Sequence, residues 1–179
     1  MSRIRSRNTS PERAVRRELW RRGYRYRLND KRLHGSPDLV LPKYRAVIFI
    51  NGCFWHGHRG CTKYTVPKTN EQFWREKVAR NIARDELNAQ RLDTLAWTVI
   101  TVWECELGKN TDATIARIEA DLRSAKEKYD KWTALRRESR EYAREQARKH
   151  REILALVEAE LNLPKSLRRY ATREGEILY

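Results

Sequence analysis

Between Thr9 and Gly23 the apolar side chains Ala14, Val15, Leu19 and Trp20 recur at helical spacing, with Arg and Glu filling the positions between them. Thr9 or Ser10 supplies an N-cap, Pro11 suits the first turn, Glu12 follows, and Gly23 ends the run, so the pattern predicts an amphipathic helix. From Tyr24 to Leu28 large and basic residues alternate, as in a half-buried strand. A polar loop over 29–36 runs into Gly35-Ser36-Pro37. Beyond it, Leu39-Val40-Leu41 and Ala46 to Ile50 are short apolar runs separated by Pro42-Lys43-Tyr44-Arg45, which predicts a hairpin of two buried strands. Asn70 caps a long helix that reaches about Leu95, and Trp97 to Trp103 reads as another central strand. The order α-β-β-β-α-β predicts a mixed sheet flanked by helices, an α/β or α+β domain.

From about residue 111 the texture changes. Ile115, Ile118, Leu122, Ala125, Tyr129 and Trp132 form a narrow apolar seam, and Ala143, Ala147, His150, Leu154, Val157 and Leu161 repeat the spacing. Two antiparallel helices are expected, an appended C-terminal helical hairpin packed on itself or on a partner. Leu163-Pro164 ends the second, and the last 15 residues suggest no element. The expected division is therefore 1–110 and 111–179. In between, residues 51–69 show no periodicity but hold two cysteines, two histidines and three glycines, and such a stretch needs something to order it.

Charge narrows the choice of partner. The 179 residues carry 39 Lys and Arg against 24 acids, a net +15, and residues 1–106 hold 22 basic against 11 acidic side chains. An excess seated on a folded-looking segment suits a polyanion such as nucleic acid, because each neutralised phosphate releases a counterion. No apolar run reaches the length of a membrane span, and the first residues lack the apolar stretch of a signal peptide, so a cytoplasmic protein is expected. In that compartment three cysteines suggest metal ligands or core residues rather than disulfides.

Cys53, His58, Cys61 and Cys105 make a candidate zinc set: three on one irregular loop, the fourth just past the last strand, with no thiol left over. The competing reading is inert buried cysteines with polar loop histidines. His56 competes with His58 for the ligand position, and the one left free is suited to take a proton from water near neutral pH. His34 and His150 lack such company and read as surface residues. Asp38, after Pro37 at the mouth of a buried strand, either binds a cation such as magnesium or simply forms a turn.

Several motifs occur in order: Arg3-Ile4-Arg5-Ser6-Arg7-Asn8-Thr9, Gly35-Ser36-Pro37-Asp38, Tyr44-Arg45-Ala46-Val47-Ile48-Phe49, Gly52-Cys53-Phe54-Trp55-His56-Gly57-His58, Phe73-Trp74-Arg75-Glu76-Lys77, Asn81-Ile82-Ala83-Arg84-Asp85 and Val102-Trp103-Glu104-Cys105. Over roughly residues 1–110 the chain resembles the very short patch repair endonucleases. The resemblance implies a restriction-endonuclease-like core that nicks one strand of duplex DNA at a thymine–guanine mismatch. It implies magnesium at Asp38 and the Ile50 carbonyl, His56 as general base, Asp85 orienting it or the hydrated metal, and Glu12 as a further metal-shell group. It also implies structural zinc at Cys53, His58, Cys61 and Cys105. Phe54, Trp55 and Trp74 would wedge into the base stack, and Arg3, Arg5 and Arg7 would contact DNA.

The chain departs from the family pattern at two places. Asn51 stands where members usually carry a histidine, and the helices from about 111 exceed the usual tail. An extra packing layer, a dimer contact, a docking surface for another protein and an added DNA clamp are the readings open to that tail. Two alternatives compete with mismatch repair: a nuclease of a restriction or anti-phage defence system, and a zinc-containing DNA-binding module that has lost catalysis.

Overall fold

A computed structural model describes residues 8–160. Helix α1 spans Ser10–Arg21 and starts with a capping box. Thr9 Oγ1 accepts the Glu12 backbone N–H, and the Glu12 carboxylate takes the Thr9 N–H in return. Val15 and Leu19 on its inner face are fully buried, and Gly23 turns the chain with φ +86°. Only Arg27–Leu28 (β1) of the alternating stretch pairs as a strand. β2 is Leu39–Leu41, and one 3-10 turn at Pro42–Tyr44 leads to β3, Ala46–Asn51.

The long helix α2, Glu71–Thr94, carries the chain to β4, Thr98–Trp103, and α3, Glu104–Lys109, follows at once. The four strands lie in sequence order; β1, β2 and β3 are antiparallel and β3–β4 is parallel, with Ile50 opposite Val102 and Asn51 opposite Trp103. The sheet is thus mixed and flanked by helices, as the pattern predicts.

Strand alternation divides the core between two faces. Leu39, Leu41, Ala46, Ile48, Ile100 and Val102 pack with Val15 and Leu19 of α1, and with Ile115, Ile118 and Leu122 of a fourth helix. Val40 and Val47 point the other way, towards Leu92 of α2 and Trp97.

The expected helical hairpin does not form. Helix α4 runs without a break over Thr111–Glu160. Its sequence contains neither Gly nor Pro, so nothing turns the chain between the two apolar sets. Ile115, Ile118, Leu122 and Ala125 are buried, whereas Ala143, Ala147, His150 and Val157 are exposed, and Leu161 and the Leu163-Pro164 stop lie outside the described residues. The chain divides into two compact units between Asp130 and Lys131. Among the described residues, no helix is long and apolar enough to cross a membrane.

Candidate active site and metal centre

A cavity of about 990 Å³ lies beside β3 and β4 and gathers residues from the start of α1, the β1–β2 loop, the β3 end and α2. Glu12, Asp38, Ile50, Asn51, His56 and Asp85 all line it. Asp38 ends the loop before β2, and the Ile50 backbone N–H donates to its Oδ2 at 2.7 Å. That bond ties the carboxylate to the neighbouring strand through the N–H of Ile50, whereas the family resemblance points to the carbonyl of the same residue.

Burial raises the Asp38 pKa above the ordinary carboxylate value, and the Glu12 charge pushes the same way, against the Ile50 hydrogen bond, Arg16 and His56. Glu12 is buried and already occupied. It accepts from the Asn8 N–H at 3.0 Å and from Arg16 at 2.6 Å besides serving the cap. Two carboxylates facing one partly buried cavity are a donor set that suits a hard cation with oxygen preference. The residues present thus fit a divalent cation, with Asp38 and Glu12 both lining the cavity.

His56 Nδ1 lies 2.5 Å from Asp85 Oδ2. With the Nδ1 proton directed at the carboxylate, Nε2 carries the lone pair and is free to accept a proton. The supporting helix also fixes the residue before it: Asn81, one turn ahead of Asp85 on α2, donates to the Trp55 carbonyl at 2.9 Å. Asn81 and Asp85 at i and i+4 thus hold adjacent links of the loop from one helix face. Gly57 completes the turn with φ +64°, and a Cβ there would stand 2.6 Å from Ile82 Cδ1. The loop presses onto α2 at a point where any side chain larger than glycine's would have to displace Ile82 and sit on a strained backbone.

Directly beyond, Cys53, His58, Cys61 and Cys105 place their ligand atoms within 4.8 Å of one another. Cys53 Sγ and Cys105 Sγ each lie 3.4 Å from His58 Nδ1. Tetrahedral zinc with Zn–S bonds of ~2.3 Å needs ligand separations of about 3.8 Å, so the cluster fits zinc. Burial pushes the Cys53 thiol up to about 12, while the Lys63 backbone N–H lowers the Cys61 thiol. A buried thiol of that kind stays protonated by itself, and a bound cation would favour its thiolate. The geometry gives the cluster to His58 and leaves His56 to the cavity.

Three supports lie inside the ordered motifs without a role having been read from them. The Trp103 ring stacks on His58 with centroids 4.1 Å apart and planes within 5°. Glu104 Oε1 accepts the Cys53 N–H at 3.1 Å and also lines the cavity, so one carboxylate touches both centres. Phe73, half exposed, joins the aromatic group; a second ring beside Trp74 is the one hint of it. Phe54, Trp55 and Trp74 do come together, with centroids 5.1 to 6.1 Å apart. Lys77 Nζ lies 5.6 Å from the rings of Trp55, Phe73 and Trp74. Arg3, Arg5 and Arg7 fall outside the described residues.

An acidic cavity with a histidine–aspartate pair, beside a Cys3His cluster and a mixed sheet, is the equipment of a hydrolytic enzyme acting with metal. The sequence pattern that defines the family described as DNA mismatch endonuclease Vsr matches residues 1–63. The Type II nicking enzyme V.NmeAIP of Neisseria meningitidis is 47% identical over 127 residues, covering 71% of this chain and 89% of that protein. The Type II nicking enzyme V.XorIIP of Xanthomonas oryzae is 44% identical over 69% of this chain and 87% of its own length. The DNA mismatch endonuclease Vsr of Escherichia coli is 43% identical over 60% and 68%. The chain belongs to the very short patch repair family of DNA endonucleases.

Proposed function

We propose that this enzyme nicks one strand of duplex DNA at a thymine–guanine mismatch, with magnesium in the cavity and zinc in the cysteine–histidine cluster. The observation that carries the reading is the meeting of the Asp38 carboxylate and the His56–Asp85 pair in one cavity. His56 Nε2 takes the proton of the attacking water as its oxygen bonds to phosphorus; the phosphorus–oxygen bond of the strand breaks, and the leaving oxygen takes a proton from solvent. Asp85 holds the ring in the tautomer that leaves Nε2 basic and steadies the imidazolium that forms. When bound, a magnesium ion at Asp38 draws charge from the scissile phosphate. Glu12 pairs with Arg16 and closes the cap of α1 on the wall of the same cavity.

Mismatch preference rests on the aromatic group. Unstacking a base step costs a few kcal/mol, less where pairing is already weak. Phe54, Trp55 and Trp74 offer ring surface to an opened step, and Lys77 among them offers a cation to a neighbouring phosphate. Asn51 at the end of β3 lines the cavity and can bond a metal-held water but cannot take up a proton near neutral pH. It leaves His56 as the proton acceptor of the site.

A strand-labelled nicking assay with magnesium tests this, comparing one mismatched duplex with its fully paired twin. The expected result is nicking of the mismatch alone, lost in Asp38→Ala and His56→Ala. Equal cutting of paired DNA would move the enzyme to a restriction or defence role. Binding without cutting under any metal would make it a DNA-binding module.

A further inference from the structure

Beyond Lys131 the helix α4 sorts its charges by side. Each residue of an α-helix turns about 100° from the last. Arg136, Arg140, Arg144 and Arg148 therefore climb one row in steps of four, and Arg137 and Arg151 fall inside the same arc of roughly 120°. All six are exposed. Glu138, Glu145 and Glu152 lie on the other side, together with both lysines of the segment, Lys131 and Lys149, while Glu141 borders the arc beyond Arg148.

An ordinary solvated helix face interleaves the signs so that neighbours four apart neutralise each other. That pattern is present here, but on the glutamate side, where Lys149 meets Glu145 at 2.8 Å. Within the arginine arc, Arg148 alone reaches a carboxylate, Glu152 at 3.8 Å. Arg137, Arg140, Arg144 and Arg151 form no ion pair among the described residues. Arg136 lies over the Trp132 ring at 4.6 Å, beside a shallow groove that Arg137, Arg140 and Arg144 also line together with one acid, Glu141.

Association with a second copy is the less favoured use of this segment. A seam stepping from Leu135 at coiled-coil spacing meets Ser139, Tyr142, Gln146 and Lys149 before it reaches Ile153, three polar positions out of four, a poor zipper for two helices. The arginines instead match a phosphate backbone. The guanidinium fork bonds phosphate oxygens in pairs, and arginine occupies every basic position of the arc. From Arg136 to Arg151 the helix rises about 22 Å, the axial length of roughly six phosphates on one DNA strand.

We propose that this arginine face is a second DNA-contact surface, gripping the backbone of paired duplex without reading its sequence. The proposal rests on DNA being the partner, as the family membership gives it, and not on mismatch specificity.

The test uses the full-length protein and a fully paired duplex, with affinity followed by fluorescence anisotropy from 50 to 200 mM salt without magnesium. R136Q/R140Q/R144Q/R148Q should flatten the log–log salt dependence by up to ~3.6, which is about 0.9 for each phosphate that an arginine no longer neutralises. Over that salt range the parent would then lose affinity by about 150-fold more than the variant. Lysine at the same four positions should restore the slope. K131Q/K149Q should leave it nearly unchanged, and single-turnover nicking at saturating DNA should stay within about twofold of the parent.

An unchanged slope in the glutamine variant overturns the proposal. So does a parent that sediments as a dimer and a variant that sediments as a monomer with equal slopes, which would give the face to a second copy. If no protein nicks the mismatch, the catalytic reading fails while the slopes still decide this one.

Discussion

Gly57 joins His56, proposed above as the proton acceptor, to His58 of the cysteine–histidine cluster, and its replacement by alanine tests how tightly the two centres share one turn. Two separate penalties act. The left-handed backbone, φ +64°, costs alanine about 1 kcal/mol. The new methyl would also stand 2.6 Å from Ile82 Cδ1 and 3.0 Å from Val78 Cγ1, and overpacking of this kind costs ~1–3 kcal/mol. Together they amount to roughly 2–4 kcal/mol, a melting-temperature drop on the order of 5–15 °C for a chain of this size.

The assay is thermal and urea unfolding of the zinc-loaded protein, with single-turnover nicking measured in parallel. Relief of the clash by moving the loop would displace His56, and a shift of about 1 Å costs ~10²-fold in rate. Ile82→Val removes only the closest methyl, at a cost of its own of ~0.5–1.5 kcal/mol. The double variant should recover the packing share but not the backbone share, a coupling of roughly 1–2 kcal/mol. Additivity of the two changes to within ~0.5 kcal/mol would refute the close approach as the reason for glycine.

Burial and Glu12 hold the Asp38 carboxyl above its usual range, so its contribution to stability is full below the unfolded pKa, about 3.9, and is lost as pH rises through the higher folded value. Without added magnesium, Asp38→Asn should therefore melt above the parent at pH 8, with the gap closing towards pH 4, while nicking falls by ~10²-fold or more. Differential scanning fluorimetry against pH checks the first part; a lower melting point at pH 8 would contradict it. Protein purified without added metal should carry about one zinc per chain by elemental analysis, and Cys105→Ser should lose it along with nicking. Glu104→Ala removes the acceptor of the Cys53 N–H and should cost ~1–3 kcal/mol in chemical unfolding, whereas Glu104→Gln, which keeps an oxygen there, should cost less than half of that.

The hairpin of β2 and β3 is legible in the sequence because its apolar runs are short, β-branched and set about a Pro-containing turn. The cysteine–histidine cluster is legible because three cysteines and a loop histidine fall where one metal could gather them, although the spacing alone leaves His56 in competition with His58. What escapes lies in contacts that no local pattern announces. Glu104 and Trp103 sit in sequence like any strand end, and only the parallel pairing of β3 with β4 sets them against Cys53 and His58. Asn81 and Asp85 do share a helix face, a signal that points to a joint task on the loop. The tail misleads for a different reason: two apolar sets suggest two helices, although the lack of any breaker between residues 111 and 160 argues for one.

The active centre has no local origin. Asp38 meets its strand partner 12 residues away, His56 meets Asp85 across 29, and the metal cluster closes over 47. Contacts of such separation are the last to form as a chain folds, since each must wait for the closing of a long loop. Here β4 must dock before Cys105 can reach the cysteine loop, and α2 must dock before His56 has its carboxylate. A half-folded copy would therefore hold the residues of the proposed site without its geometry. For an enzyme that breaks DNA strands, this order of assembly acts as a safety catch released only when the whole domain is in place.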